Sequence, residues 1–194
     1  MSNILILGIG YLRWKLNLFD IVMLSVALGV DCLVVSFSQG MIFKSQRVKN
    51  SLKLAFVMGL FQGCMPIIGY IGTNSLYNLI LPYRKWIIFG IFLTLGLKFI
   101  VESFVPERQE VQCIDLKCLI GLGVATSIDA LVSGATLRLT HTNMIISILL
   151  IGLISFLMSL LGFWSGNRIK HLPSRYLEIF GGMILIILAL KSLI

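Results

Sequence analysis

The sequence predicts an all-α membrane protein with six transmembrane helices, arranged as two inverted three-helix repeats. Three observations lead there. Of 194 residues, 58% are hydrophobic and 12% are charged, and the mean hydropathy is +0.99. Soluble domains do not have that composition. Six apolar segments are each long enough to cross a hydrocarbon core. Motifs in the first half of the chain recur in the second half.

The segments run Leu16–Gln39, Leu52–Thr73, Trp86–Val105, Leu116–Leu139, Asn143–Gly166 and Tyr176–Ile194. In lipid each must be a helix, because its backbone has no water to bond with. Met41–Lys49 is a basic loop, Leu81–Lys85 a turn with Pro82, and Thr140–Thr142 a tight turn. Asn167–Arg175 is basic and contains Pro173. Residues 106–115 form the most polar linker and divide repeat 1 (16–105) from repeat 2 (116–194). Residues 1–15 read as an extension at the interface. They have no basic start and no small-residue cleavage site, so a cleaved signal peptide is not expected.

The loops after spans one, three and five carry nine Lys and Arg, and the opposite side carries six. The positive-inside rule then places both termini outside. The net charge of +8 suits loops that face anionic lipid. Nucleic acid is not an expected partner, since no soluble basic patch interleaved with aromatics exists. Cys32 and Cys64 fall inside spans as small packing residues. Cys113 and Cys118 lie near the linker, close enough to pair or to share a metal, though nothing else requires either.

The repeat is visible residue by residue. Val26, Ala27, Asp31, Leu33 and Val34 match Val124, Ala125, Asp129, Leu131 and Val132 at an offset of 98. Gly59, Leu60, Met65, Gly69 and Lys98 match Gly152, Leu153, Met158, Gly162 and Lys191 at an offset of 93. A three-helix unit repeated once is inverted in the membrane, and inverted repeats with a midplane site mark transporters.

Asp31 and Asp129 are the centre of the functional reading. A charge at the bilayer centre costs roughly 2.5–3.5 kcal/mol on insertion scales. A lone aspartate can be a protonated packing residue, but two at repeat-related positions point to a site. Helical spacing puts Thr126, Asp129, Ser133 and Thr136 on one stripe of span four. Span one presents Asp31 with Ser36 further round, and Cys32 lies about 100° away from Asp31. Span two adds Gln62 beside Pro66, and span six begins with Glu178. Lys98 and Glu102 are one turn apart in span three, a spacing that allows them to pair.

Two carboxylates and an oxygen shell suit a hard divalent ion such as manganese or magnesium. Neither His141 nor His171 lies in a span, which disfavours a His/Cys metal site. No phosphate-binding G-x-x-x-x-G-K-[ST] loop is present, so uphill transport would draw on an ion gradient or the membrane potential. No nucleophile–base constellation supports a membrane enzyme.

These motifs resemble the MntP-type manganese efflux pumps of bacteria, small six-helix exporters related to the LysE superfamily. The family's D-A-F-A-V-S motif corresponds to Asp31, Cys32, Leu33, Val34, Val35 and Ser36, followed by Gly40. Its F-Q-x-x-M-P-x-x-G pattern is matched by Phe61, Gln62, Met65, Pro66 and Gly69. K-x-I-x-E appears as Lys98, Ile100 and Glu102. A-T-S-I-D-A-L is matched in full by Ala125–Leu131, and E-I-x-G-G by Glu178, Ile179, Gly181 and Gly182.

The resemblance implies an inner-membrane Mn2+ exporter with no cofactor. Its ion-handling acids would be Asp31, Asp129 and Glu102, to which the polar residues of spans four and two add Thr126, Ser127 and Gln62 as further ligands. Ser36, Ser133, Lys98 and Glu178 would support them. Cys32, Leu33 and Ser133 depart from the family pattern beside the aspartates and bear on ion preference. The alternatives are export of another divalent cation or an amino acid on the same fold, or a non-transporting membrane protein of a sporulation-associated branch.

Overall fold

A computed structural model of the chain describes residues 16–42, 47–75, 77, 81–104, 116–140, 142–168 and 174–193. The N-terminal extension and the central linker lie outside the described residues. Those described form seven α-helices and one 3-10 turn, with no strand among them. The helices are α1 (Leu18–Ile42), α2 (Arg47–Ser75), α3 (Arg84–Glu102), α4 (Leu116–Thr126), α5 (Ile128–Leu139), α6 (Met144–Arg168) and α7 (Ser174–Leu193). The 3-10 turn, Leu81–Tyr83, leads into α3.

Helix forms most of the described part of each expected apolar segment, but the fourth is not one helix. It divides into α4 and α5, bent by 43°. Ser127 sits at the bend with φ −99° and ψ 5°, in the sparsely allowed bridge region. The cause is local. In a continuous helix the Ser127 N–H would bond to Gly123 O, four residues back. Here the Thr126 hydroxyl bonds to Gly123 O at 3.2 Å and to Leu122 O at 3.0 Å. The Ser127 N–H turns to Val124 O instead. Such back-bonding by Ser and Thr bends helices. The stripe expected along span four is therefore interrupted, with Thr126 ending one helix and Asp129 in the first turn of the next.

Four helical stretches are long and apolar enough to cross a membrane alone: Leu18–Met41, Arg47–Ser75, Met144–Gly166 and Tyr176–Leu193. The bent α4–α5 pair makes a fifth if taken as one span. Helix α3 falls short because any 18-residue stretch of it holds three of Arg84, Lys85, Lys98 and Glu102. The outward faces are apolar, with Phe56 63%, Leu149 66% and Ile187 63% exposed. The interior carries polar side chains such as Ser36, Gln62, Asp129 and Ser133. Apolar outside and polar within is the arrangement lipid demands.

Helix α1 packs most extensively against α6, α2 against α6 and α5, and α3 against α7. An apolar cluster between α1, α3 and α7 contains Leu24, Leu28, Phe92, Phe99 and Leu185. Close approach elsewhere depends on small residues. A Cβ on Gly69 would overlap the Leu131 carbonyl, and one on Gly162 would overlap the Leu33 carbonyl. These two contacts join residues at the same offsets, 98 and 93, that relate the sequence motifs. Gly59 and Gly152 face each other, so that a Cβ on either would meet the other's carbonyl at 2.9 and 3.1 Å.

At the N-terminal end of α1, Asp20 accepts hydrogen bonds from Lys191 Nζ at 2.6 and 2.8 Å and from the Asn17 N–H at 3.1 Å. The pair ties α1 to the end of α7. The carboxylate side chain is 3% exposed and the lysine 42%. The two members are therefore unequal. Lys191→Met strands a buried carboxylate and is expected to cost about 3 kcal/mol or more. Asp20→Asn should cost less, since the freed lysine can extend towards the interface. Thermal unfolding of both variants in detergent checks this, and equal losses would contradict it.

Candidate functional site

The site is organised by Gln62 of α2, which is fully buried. Its Nε2 donates to Leu28 O of α1 at 3.2 Å and to Thr126 O at the end of α4 at 3.3 Å. Leu28 and Thr126 are equivalent positions at the offset of 98, and each precedes its aspartate by three residues. One amide thus spans the two motifs, one turn from Asp31 and one turn from Asp129. Carbonyls at a helix break are open to such a donor, because the i→i+4 ladder stops there.

Asp129 is 4% exposed, in the first turn of α5. A helix N-terminus favours negative charge. Its carboxylate is held by Lys98 of α3, whose Nζ lies 2.9 Å from each oxygen. Lys98 thus has a partner on another helix, beyond the Glu102 one turn away that its spacing suggests. The Glu102 side chain lies outside the described residues. Asp31 is half-buried within α1 and has an interaction partner, and so does Glu178 of α7.

The hydroxyls divide into two groups. Ser36 is committed to Ser159 of α6 at 2.5 Å. Thr126 Oγ1 is turned back on its own helix and reaches Met58 Sδ at 3.4 Å, so it is the Thr126 carbonyl that faces Gln62. In contrast, Ser127 Oγ, Ser133 Oγ and Gln62 Oε1 are buried without a hydrogen-bond partner among the described residues. Buried polar atoms are normally satisfied. Ser127 lies at the break in span four, and such oxygens are suited to a ligand that accepts lone pairs, which is a cation.

Two sulfur atoms were not foreseen as neighbours. Cys32 is fully buried, and Gln62 Nε2 lies 3.5 Å from its Sγ. Its place 100° from Asp31 on a helical wheel argues only about α1 and does not report what α2 brings alongside. Met58 reaches Thr126 from α2, and no sequence signal marks it. Cys32 and Cys64 carry free thiols, while Cys118 is disulfide-bonded. Cys113 lies outside the described residues. No group of three or more His, Cys, Asp or Glu gathers among the described residues, so an ion here would rely mostly on amide, hydroxyl and carbonyl oxygen.

Gln62→Leu removes the amide that joins the two motifs and leaves Leu28 O and Thr126 O without this donor. On the exporter reading that the resemblance implies, transport is expected to fall at least about tenfold, as for loss of a supporting polar contact at a metal site. Transport by Gln62→Glu should fall as well, since a carboxylate lacks the N–H donor and sets an oxygen against the same two carbonyls. Transport assays on both variants test this, with membrane abundance measured alongside.

Helices that turn apolar faces outward and enclose carboxylate, amide and hydroxyl oxygen make this a multi-pass membrane protein. Residues 45–193 match the family described as "Putative manganese efflux pump". The chain belongs to that manganese efflux pump family, and its role is transport. Relatives named "Putative manganese efflux pump MntP" include one from Dehalococcoides mccartyi, 37% identical over 92% of this chain and 94% of its own length. One from Methanothermobacter thermautotrophicus is 33% identical over 92% of this chain and 97% of its own. One from Bacteroides fragilis is 39% identical over 90% and 94%. No solved structure matches the chain.

Proposed function

We propose that the protein exports Mn2+ across the bacterial inner membrane, with the ion bound between Asp31 and Asp129 and both termini outside. Manganese is the cargo, and no cofactor takes part. The ion would cross by alternating access between two inverted three-helix repeats, 16–105 and 116–194. An ion gradient or the membrane potential would drive it. In this reading α3 is the third of six spans, its charges directed to the interior and the interface.

The observation that carries the proposal is the Gln62 bridge, which joins repeat-equivalent carbonyls one turn before each aspartate. The unpartnered oxygens of Gln62, Ser127 and Ser133 support it as donors for a hard cation. The paired glycine contacts, Gly69 with Leu131 and Gly162 with Leu33, support the repeat. Glu102 is kept as a third ion-handling acid on the resemblance, and Ser36 and Glu178 as supporting residues on their places in spans one and six.

A second reading rests on Cys32 Sγ and Met58 Sδ beside the same polar groups. Sulfur favours a softer divalent ion such as cadmium or zinc. An amino-acid cargo is disfavoured, because the lysine best placed for a substrate carboxylate is engaged by Asp129.

The test is cell manganese after a manganese load in a bacterium lacking its own exporter. The wild-type chain is expected to lower it and Asp31→Asn to leave it high. If the wild type reaches the membrane and leaves manganese unchanged, the manganese assignment is wrong. A panel of divalent ions would then decide between cargoes.

A further inference from the structure

We propose that Lys98 is a tethered competitor cation: its ammonium holds Asp129 while no metal does, and a divalent ion reaches Asp129 only by displacing it. This rests on Asp129 being a ligand of the exported ion, as proposed above.

The geometry sets up the competition. Lys98 Nζ lies 2.9 Å from both carboxylate oxygens, which places it in the fork where a chelated cation would sit. An ammonium and a divalent ion cannot share that position. The two partners also differ in freedom. The Asp129 side chain is 5% exposed and fixed in the first turn of α5, whereas the Lys98 side chain is 42% exposed. The lysine has a long flexible stem from a different helix, so it is the member that moves.

The same pair explains how an empty carrier can exist. A buried carboxylate without a counter-charge is costly. With Lys98 in place the pair is neutral, so the unloaded protein can change conformation without carrying an uncompensated charge through its interior. Metal entry reverses the arrangement. The ion takes the carboxylate, the ammonium is displaced, and the ion pair between α3 and α5 is broken. Return of Lys98 then helps expel the metal. Lys98 thereby trades affinity for release, which is what an exporter requires.

The experiment uses the purified full-length chain in detergent. Mn2+ affinity is measured for the wild type, Lys98→Gln and Lys98→Arg, with thermal stability as a folding control. Lys98→Gln is expected to bind Mn2+ about tenfold more tightly or better, since a charge-assisted contact no longer competes. Its export in cells should fall because release slows. Lys98→Arg keeps a competing cation and should bind close to the wild type. On the wild type itself, Mn2+ should raise the rate at which an amine-reactive probe modifies Lys98, read by mass spectrometry.

A lysine that merely supports the fold would not tighten binding when removed. Unchanged or weaker Mn2+ binding by folded Lys98→Gln overturns the proposal. If that variant does not fold, Lys98 labelling that ignores Mn2+ overturns it. A wild type that neither binds nor exports Mn2+ overturns the manganese site itself, a result distinguishable from the other two.

Discussion

Asp129→Asn is expected to abolish manganese export while the protein still reaches the membrane. The substitution keeps the shape of the side chain and removes its charge. Asp129 is the described carboxylate aimed into the interior at the break in span four. Loss of supporting contacts alone weakens metal sites by roughly 10–100-fold, and losing a charged ligand costs more. Export should therefore fall to background. The fold should tolerate the change, because Lys98 is 42% exposed and its ammonium can find other partners. Cell manganese and membrane abundance, measured on the same cultures, decide the matter. Normal export with normal abundance would remove Asp129 from the site.

Gly69→Ala is expected to damage the protein more than any other single methyl group added to α2. The new Cβ would overlap the Leu131 carbonyl. That obstacle is backbone, so no rotamer change relieves it. Helices α2 and α5 would have to separate, and α5 carries Asp129 and Ser133. Gly134→Ala acts on the same interface from the other side, where the obstacle is the Pro66 carbonyl. Overpacking of this kind costs about 1–3 kcal/mol and shifts the backbone. Both thermal stability and export should fall. Gly72→Ala, on the same helix with nothing within 4 Å, is the control. It should be neutral or stabilising by about 1 kcal/mol, because alanine favours helix over glycine. Equal behaviour of Gly69→Ala and Gly72→Ala would refute the close approach.

How much of the site was legible differs from residue to residue. Asp31 and Asp129 stand out because a charge in an apolar run is costly wherever the helix packs. Gln62 stands out because a polar amide in an apolar run needs hydrogen-bond partners, and its buried position agrees. The break at Ser127 was harder to see. Thr126 and Ser127 are polar but permissible in a helix, and only the competition for the Gly123 carbonyl shows that the ladder fails there. Ser36, expected to support the site from further round span one, has its hydroxyl bonded to Ser159 of α6. Spacing within one helix reports which residues share a side. It does not report what the next helix offers to that side.

The sequence by itself determined that this chain is helical, lies in a membrane and carries paired acidic motifs. Those features follow from local rules: apolar length, backbone self-satisfaction and the cost of buried charge act on each segment alone. Only the tertiary structure decided that Lys98 meets Asp129 on another helix. Only the tertiary structure decided that Gln62 links Leu28 to Thr126. Partners across helices depend on which faces approach and how closely. That is set by glycines whose contacts lie, in the chain, 62 residues away for Gly69 with Leu131 and 129 for Leu33 with Gly162.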